Sequence, residues 1–536
     1  MLSEQTLSTR LPPLHKPTDQ PIRWFQGFVG APGFQACAIA ILFFAINLTT
    51  LGDYGLSFDE PNGMARGRSN LTLLQSILFN QPPSATAAGP SDFHPPFFAT
   101  ANYVTTEFGV RVLGWNRIAA GHLLNLVTAS AGLVVLFLLG RSLFNATTGL
   151  MAELFLALFP RFIAHAHYNA KDIPVMVLGM LTLLALSTAL RHGHKKHWIL
   201  AAVCLSAGIT TKLDALFLLF IFLTPWFISR FRYRTDRRRS ELRGIGLFLT
   251  LSVVGTLLFW PQLWTNPLHL VKATSHFTGA FNQFEITYLG ASLPIDEVPW
   301  HYMPVHLLAV TPIPGMLLVV IGTAELFLML SHHRQRFAPW LLACWILFPL
   351  SARMVPGILQ YDGMRHVFLV VPALALLAAL GFNRVRKLWN SRIQAPRTCI
   401  AVCTTLVAWL LWQIMQIHPY QGSYLNKAVR LFLPPAALGE WFDFYSWGTP
   451  LKHGADWLNA NAPPHASVTV PNHLQTLKQY PMRRDLRLQE SGDADFILVM
   501  GWRKDLRDSL DLPPVSSARC YGADLIAIYP QDPDWK

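Results

Sequence analysis

Ala207-Gly208-Ile209-Thr210-Thr211-Lys212-Leu213-Asp214-Ala215-Leu216 sits in the middle of an otherwise apolar run from 198 to 229. A helix crossing a bilayer core takes roughly 17 to 25 apolar residues, so the run is too long for one crossing and short for two. Lys212 and Asp214 at mid-bilayer would each cost at least about 2.5 kcal/mol. A single crossing would also carry the Arg-rich loop 230–243 to the outer face, against the preference of Lys and Arg for the inner side. The run is therefore expected to be a hairpin of two short helices, with Lys212 and Asp214 at the outer surface.

Worked outward from that hairpin, the remaining apolar runs fall near 34–51, 118–139, 148–164, 174–190, 244–260, 312–330, 338–352, 366–383 and 398–417. The expectation is an α-helical polytopic membrane protein with about eleven transmembrane helices. Composition agrees: 536 residues, 52% hydrophobic, 14% charged and a mean hydropathy of +0.32 are too apolar for an ordinary soluble enzyme. The formal net charge of +13 does not mark a nucleic-acid partner, because basic residues cluster in short loops such as Arg191 to His197 and Arg230 to Arg243. With the N-terminus inside, Arg141, His332 to Arg336 and Arg384 to Arg397 fall inside too. The long outer loops are 52–117 and 261–305, the second holding one Lys or Arg, Lys272. Residues 1–33 form a cytoplasmic segment before a signal anchor with no small-residue cleavage site after it. Five of the six cysteines lie in or beside apolar runs, with only Cys520 in a polar region, so neither a disulfide framework nor a zinc spacing is present.

The span 34–417 thus makes a transmembrane domain, and 418–536 a small soluble α/β domain on the outer side. Its strand-like runs are 466–470, 495–499 and 525–529. Thr449 and Pro450 start a helix that Ala462-Pro463-Pro464 stops. No internal repeat is found.

Candidate chemistry collects on the outer side. Ser57-Phe58-Asp59-Glu60-Pro61 carries adjacent carboxylates, which serve either as base and helper or as acids at a helix N-terminus after Ser57. Asp92-Phe93-His94-Pro95-Pro96 reads as a loop entering an interfacial helix, with Asp92 and His94 as substrate-positioning candidates and His94 also able to meet a phosphate or a metal. Arg161 and Lys171 are rare cations at membrane depth and candidate phosphate ligands, with Asn169 and Asp172 beside them. Arg365 and His366, in Gln360-Tyr361-Asp362-Gly363-Met364-Arg365-His366, are further phosphate candidates, since a guanidinium binds phosphate oxygens in a fork; Tyr361 is a positioning candidate. The plainer alternative for Arg365 is anchoring of a helix end. His165 and His167, two apart, point away from one another on a helix, which disfavours a shared metal; a divalent metal remains compatible with the site, without a defined ligand set. Lys212 and Asp214 can pair with each other, and Glu153 and Glu325 read as buried hydrogen-bonding acids. Trp260, Trp264 and Trp300 serve either as interfacial anchors or as stacking surfaces for a sugar ring.

Phe58-Asp59-Glu60, His94-Pro95-Pro96, Pro160-Arg161 through Asn169-Ala170-Lys171-Asp172-Ile173-Pro174, and Tyr361-Asp362-Gly363-Met364-Arg365-His366 together resemble the bacterial branch of the protein O-mannosyltransferase superfamily. These are GT-C fold enzymes related to the aminoarabinose transferase that modifies lipid A. His418 through Asn426 and Phe444-Tyr445-Ser446-Trp447-Gly448 resemble the segment leading into the outer domain of such members. The resemblance implies transfer of a sugar, with inversion, from a polyprenyl-phosphate donor in the bilayer to a protein, lipid or glycan acceptor on the periplasmic side of a bacterial inner membrane. It also implies that Asp59 is the base with Glu60 in support. Pro61-Asn62 departs from the family pattern, so no metal site is carried over. A second class, a transporter or flippase of lipid-linked glycans, would show paired repeats with broken helices at matching positions, and none is seen. A third, an inactive relative acting as an assembly partner, is disfavoured by the intact Asp59-Glu60 pair.

Overall fold

Thr210, Thr211 and Lys212 do break the run that contains them. The computed structural model describes residues 31–80, 93–231, 238–273, 285–332, 337–355, 357–358, 360–442, 444, 446–510 and 512–532. In chain order its principal helices are α1 (Ala31–Thr49), α2 (Glu60–Leu78), α3 (Phe97–Leu113), α4 (Arg117–Leu143), α5 (Ala146–Ala157), α6 (Pro160–Tyr168), α7 (Asp172–His192), α8 (Lys195–Ile209), α9 (Phe217–Phe231), α10 (Arg238–Phe259), α11 (Ile313–His332), α12 (Phe337–Arg353), α13 (Val371–Arg392) and α14 (Pro396–Gln416). A 3-10 turn, Leu213–Leu216, joins α8 to α9, and another, Gly363–Val370, precedes α13.

Every apolar run expected to cross the membrane is helical, but not every helix is a full crossing. Among the described residues eight helical segments are long and apolar enough to span, and the α5–α6 pair makes a ninth if taken as one crossing bent by 69°. That is fewer than the expected eleven. At 15 residues α8 is roughly 22 Å long and α12 has 17 residues, so both fall short of a bilayer core of roughly 30 Å. The expected straight span 148–164 is broken for a stated reason. Pro160 has no amide hydrogen and cannot continue the preceding helix, so it begins α6 instead, and all nine residues of α6 are buried.

The two helices of the first long loop, α2 and α3, pack on each other, and α3 packs on α4. Val104, Phe108, Val112 and Leu113 of α3 are exposed, as suits a helix lying at an apolar interface. Charge sorts to the two ends of the bundle. Arg141, Arg191, Lys195, Arg230, Arg384 and Arg386 lie at or near one set of helix ends, whereas Lys171, Lys212, Arg353 and Arg365 lie at the other.

At that second end sits a C-terminal unit. Its sheet, numbered after a short antiparallel pair β1 (Glu285–Tyr288) and β2 (Ala291–Pro294) in the second long loop, is built of β3 (Ser467–Thr469), β4 (Arg487–Gln489), β5 (Phe496–Met500), β6 (Ser516–Cys520) and β7 (Ala523–Pro530) and runs in the order β4-β3-β5-β7-β6. β3 is parallel to both neighbours, while β7 is antiparallel to β5 and β6. The three expected strands are β3, β5 and β7, the apolar middle of the sheet. A helix, Leu451–Asn461, packs against the sheet and ends just before Ala462-Pro463. The unit reaches the first loop directly: Leu56 N donates to Tyr480 Oη at 2.7 Å, and the Phe58 and His473 rings stack with centroids 4.2 Å apart.

Helices α11 and α13 cross at Gly322 and Gly381. A Cβ on Gly381 would lie 2.0 Å from the Leu318 carbonyl oxygen, and one on Gly322 would lie 1.9 Å from that of Leu377. Small residues let transmembrane backbones approach this closely. Gly381→Leu is expected to force the helices apart and cost about 1–3 kcal/mol, read as a lowered thermal midpoint in nanodiscs. Gly246→Leu on α10, where a Cβ meets nothing within 4 Å, is expected to leave the midpoint in place.

Candidate active site

Charges that cannot stay among lipid tails collect where helix ends meet. Asp59 stands at the position just before α2, Lys171 at that just before α7, Lys212 follows α8, and Arg365 lies in the turn entering α13. Asp59 Oδ2 accepts hydrogen bonds from both Lys171 Nζ at 3.0 Å and Arg365 Nη1 at 3.1 Å. Arg365 Nη2 also pairs with Asp362 at 2.8 Å. A second chain runs beside it: Asp172 to Lys212 at 2.6 Å, Lys212 to Asp214 at 2.9 Å, and Asp214 to Arg353 at 2.9 Å. Signs alternate along both chains, which is what partly buried ions require.

The electrostatics follow. Burial works to raise the Asp59 carboxyl, yet Lys171 and Arg365 outweigh it and hold Asp59 well below the usual carboxylate range. Burial lowers Lys171, and the Asp59 charge restores only part of the loss. Burial opposes the charge of Lys212 as well, but Asp172 and Asp214 win and hold that lysine above its ordinary value. Asp362 is raised by burial and by the Asp59 and Asp172 charges, against the pull of Arg365.

The adjacent carboxylates point different ways. Glu60 is buried, accepting from Ser57 N at 2.6 Å through Oε2 and lying 2.9 Å from His122 Nε2 through Oε1. Asp59, 30% exposed at its side chain, faces the cations. Adjacent residues at the helix start thus divide into one acid that ties down the loop and one that is open. Asn169 is also committed locally. Its Oδ1 accepts from Asp172 N at 2.9 Å and its Nδ2 contacts Asp172 Oδ2 and His165 Nδ1, each at 2.8 Å, forming a turn that presents Lys171 at the start of α7.

The other expected residues spread around this centre. Arg161, buried on α6, donates to the Tyr424 carbonyl at 3.4 Å and meets Arg365 across a cavity. His366 packs edge-on to Tyr361 at 4.6 Å, outside the Asp59 pairing. Tyr361 lies beneath the Arg365 guanidinium at 5.0 Å. His94 stands just before α3, and Asp92 lies outside the described residues. His165 and His167 diverge, the first toward Asn169 and the second stacked on Tyr54 at 3.7 Å. Among the described residues no three His, Cys, Asp or Glu side chains gather as a metal site.

Trp447 is the part sequence reasoning did not single out. Its ring lies 4.4 Å from the Arg365 guanidinium and forms a common wall between two cavities. The larger, about 200 Å³, is lined by Arg161, Arg365, Asp362, Phe58, His473 and Trp502 among others. The smaller, about 30 Å³, is lined by Asp59, Glu60, Arg66, Asn102 and Lys171 among others. Ser446, Trp447 and Gly448 all have left-handed backbones, with φ of 47°, 53° and 91°. Such a turn is costly for the two side-chain-bearing residues. Phe58 N donating to the Trp447 carbonyl at 3.1 Å, and the Ser446 and Ser423 hydroxyls 2.6 Å apart, help to hold it. The only signal available was the run 444–448 itself, since Trp447 reaches the site from beyond the last transmembrane helix.

Residues 94–264 match the family model described as dolichyl-phosphate-mannose-protein mannosyltransferase, a stretch that includes Arg161, Lys171, Asp172 and Lys212 but neither Asp59 nor Arg365. No curated protein is similar to the chain by sequence. Among solved structures the chain is similar to ArnT from Cupriavidus metallidurans bound to undecaprenyl phosphate, at 15% identity and a TM-score of 0.50, over 93% of this chain and 98% of that one. It is also similar to the oligosaccharyltransferase from Archaeoglobus fulgidus in its apo form, at 12% identity and a TM-score of 0.51, over 85% of this chain and 64% of that one. At such identities the likeness is one of architecture, and the chain has the GT-C fold: a helical membrane bundle carrying a small C-terminal sheet.

Proposed function

We propose that this chain is a membrane glycosyltransferase that moves a sugar from a polyprenyl-phosphate donor to an acceptor outside the membrane, with Asp59 as the general base. The observation that carries the reading is the junction at Asp59. A partly exposed carboxylate borders a cavity and is flanked by Lys171 and Arg365, at the helix ends covered by the C-terminal unit. The fold shared with a protein solved with undecaprenyl phosphate supports the choice of donor class.

Each group has a chemical task. The acceptor hydroxyl gives its proton to the Asp59 carboxylate as its oxygen attacks the anomeric carbon from the face opposite the phosphate. The bond from that carbon to the phosphate oxygen breaks, its electron pair leaves with the lipid phosphate, and the configuration inverts. Lys171 and Arg365 meet the charge that grows on the departing phosphate, Arg365 in the planar fork suited to phosphate oxygens. Arg161 and His366 lie farther out as secondary phosphate contacts. Asn169 and Asp172 act by positioning, because they hold the turn that presents Lys171. Trp447 covers the Arg365 guanidinium on the cavity side, and Tyr361 lies beneath it.

The sidedness follows from charge. Arg141, Arg191, Lys195, Arg230 and Arg384 gather at the helix ends remote from Asp59, which by the preference of cations for the inner side turns the site outward. In a bacterial inner membrane this makes the N-terminus cytoplasmic and the C-terminal unit periplasmic. A polyprenyl chain then reaches the site from the bilayer and the acceptor, whether protein, lipid or glycan, from the periplasm.

Purified protein in nanodiscs, supplied with polyprenyl-phosphate sugars and a periplasmic extract, is expected to release polyprenyl phosphate. Asp59→Asn is expected to lower that rate by about 10²- to 10⁴-fold, the usual worth of a positioned base; full retention would remove Asp59 from the chemistry. Glu60→Gln tests the division of labour. It is expected to lower stability by about 1–3 kcal/mol, because one of two buried partners loses its acceptor, while keeping measurable turnover. A loss as deep as that of Asp59→Asn would place both acids in the reaction. Because the Asp59 carboxyl is held below its ordinary value, its contribution to stability is complete above the unfolded value of about 3.9 and declines as pH falls below it. The thermal-midpoint difference between wild type and Asp59→Asn is accordingly expected to stay level above about pH 5 and to shrink in more acid solution.

A further inference from the structure

Both cations at the centre of the site are bound to one oxygen of Asp59. Lys171 Nζ lies 3.0 Å and Arg365 Nη1 3.1 Å from the same Oδ2, and Arg66, which lines the same small cavity, adds to the positive field. Two hydrogen-bonded cations stabilise the ionised carboxylate, and a carboxylate so held is a weak base. A phosphate carries more oxygens and more charge than a carboxylate, and it is the better partner for a guanidinium fork beside an ammonium. Asp59 therefore occupies in this structure the place that an anionic phosphate would take between Lys171 and Arg365.

We propose that the donor's phosphate displaces the Asp59 carboxylate from Lys171 and Arg365, so that Asp59 gains its strength as a base only once the donor is bound. The inference rests on the reading of the site as one for a lipid phosphate, and adds to it a regulatory exchange of anions. Its consequence is an order of events. Before donor arrives, the cations are neutralised and the carboxylate is a poor proton acceptor, so an acceptor bound alone meets an inactive site. The incoming phosphate takes the cations, and the freed carboxylate, already 30% exposed at its side chain while paired, borders the cavity from which an acceptor hydroxyl can reach it. Asp362 differs, because it touches only Arg365 of the two cations, at 2.8 Å, and does not bridge them.

Exchange makes a prediction of unusual sign: removing the proposed catalytic base improves binding of the lipid phosphate. The test measures the affinity of undecaprenyl phosphate for the full-length chain in nanodiscs, for wild type, Asp59→Asn, Asp59→Ala, Asp362→Asn and Lys171→Ala, each checked for folding by its thermal midpoint. The expected result is binding about tenfold tighter or more in whichever Asp59 variants fold, the equivalent of about 1.4 kcal/mol. Asp362→Asn is expected to show a smaller gain and Lys171→Ala a loss. Unchanged or weaker binding in the Asp59 variants, with sugar transfer still abolished by Asp59→Asn, would overturn the exchange and leave the base assignment standing. An equal gain in Asp362→Asn would assign the effect to net charge alone and overturn the exchange as well. No binding of undecaprenyl phosphate to any of the proteins, wild type included, would overturn the lipid-phosphate reading and the exchange with it.

Discussion

The bridge from Lys171 through Asp59 to Arg365 is the interaction on which the arrangement of this end of the molecule depends. It joins the first loop, the start of α7 and the turn into α13, three parts of the chain with no local reason to meet. An ion at the edge of a low-dielectric slab is stable only with its counter-charge in contact, and deleting one partner leaves the other stranded. The parallel chain of Asp172, Lys212, Asp214 and Arg353 binds the starts of α7 and α9 to the end of α12 by the same rule. Together the two chains make a charged plate on top of an apolar bundle, and the candidate chemistry lies within that plate.

The C-terminal unit completes the plate rather than merely resting on it. Its approach segment carries Trp447 onto Arg365 and accepts a hydrogen bond from the Phe58 amide, while His473 stacks on the Phe58 ring. Phe58 precedes Asp59, so the same contacts that seat the unit also orient the carboxylate. Glu60, the residue after Asp59, is itself anchored from the other side through His122 and Ser57. The open carboxylate is thus held between two rigid supports, the condition under which a base can act without first paying to be ordered.

The membrane class, the apolar runs, the hairpin at Thr210 to Lys212 and the grouping of basic loops were legible in the sequence because each follows from one-dimensional patterns of charge and hydropathy. So were the three central strands, marked by the short runs Ala466 to Val470, Asp495 to Val499 and Leu525 to Tyr529 in which apolar side chains predominate. The edge strands β4 and β6 were not, since Arg487-Leu488-Gln489 and Ser516-Ser517-Ala518-Arg519-Cys520 carry no such pattern. The expected count of about eleven and the eight or nine long apolar segments among the described residues differ where length, not hydropathy, decides: α8 and α12 are apolar but short, and the helix predicted through Pro160 turns instead.

At the site, Asp59, Lys171 and Arg365 were identifiable one by one as rare charges at the membrane edge, and sequence placed them on the same side. Sequence by itself determined which residues would have to be neutralised there, because a charge next to a bilayer is costly whatever the fold. Only the tertiary structure decided the pairing: that Lys171 and Arg365 share one oxygen of Asp59, that Lys212 goes to Asp172 as well as Asp214, that Glu60 turns to His122, and that Trp447 covers Arg365. The reason is physical. The cost of exposing a charge to lipid is a property of the residue, whereas the identity of its partner is set by which helix ends the packing of the bundle brings within about 3 Å of one another.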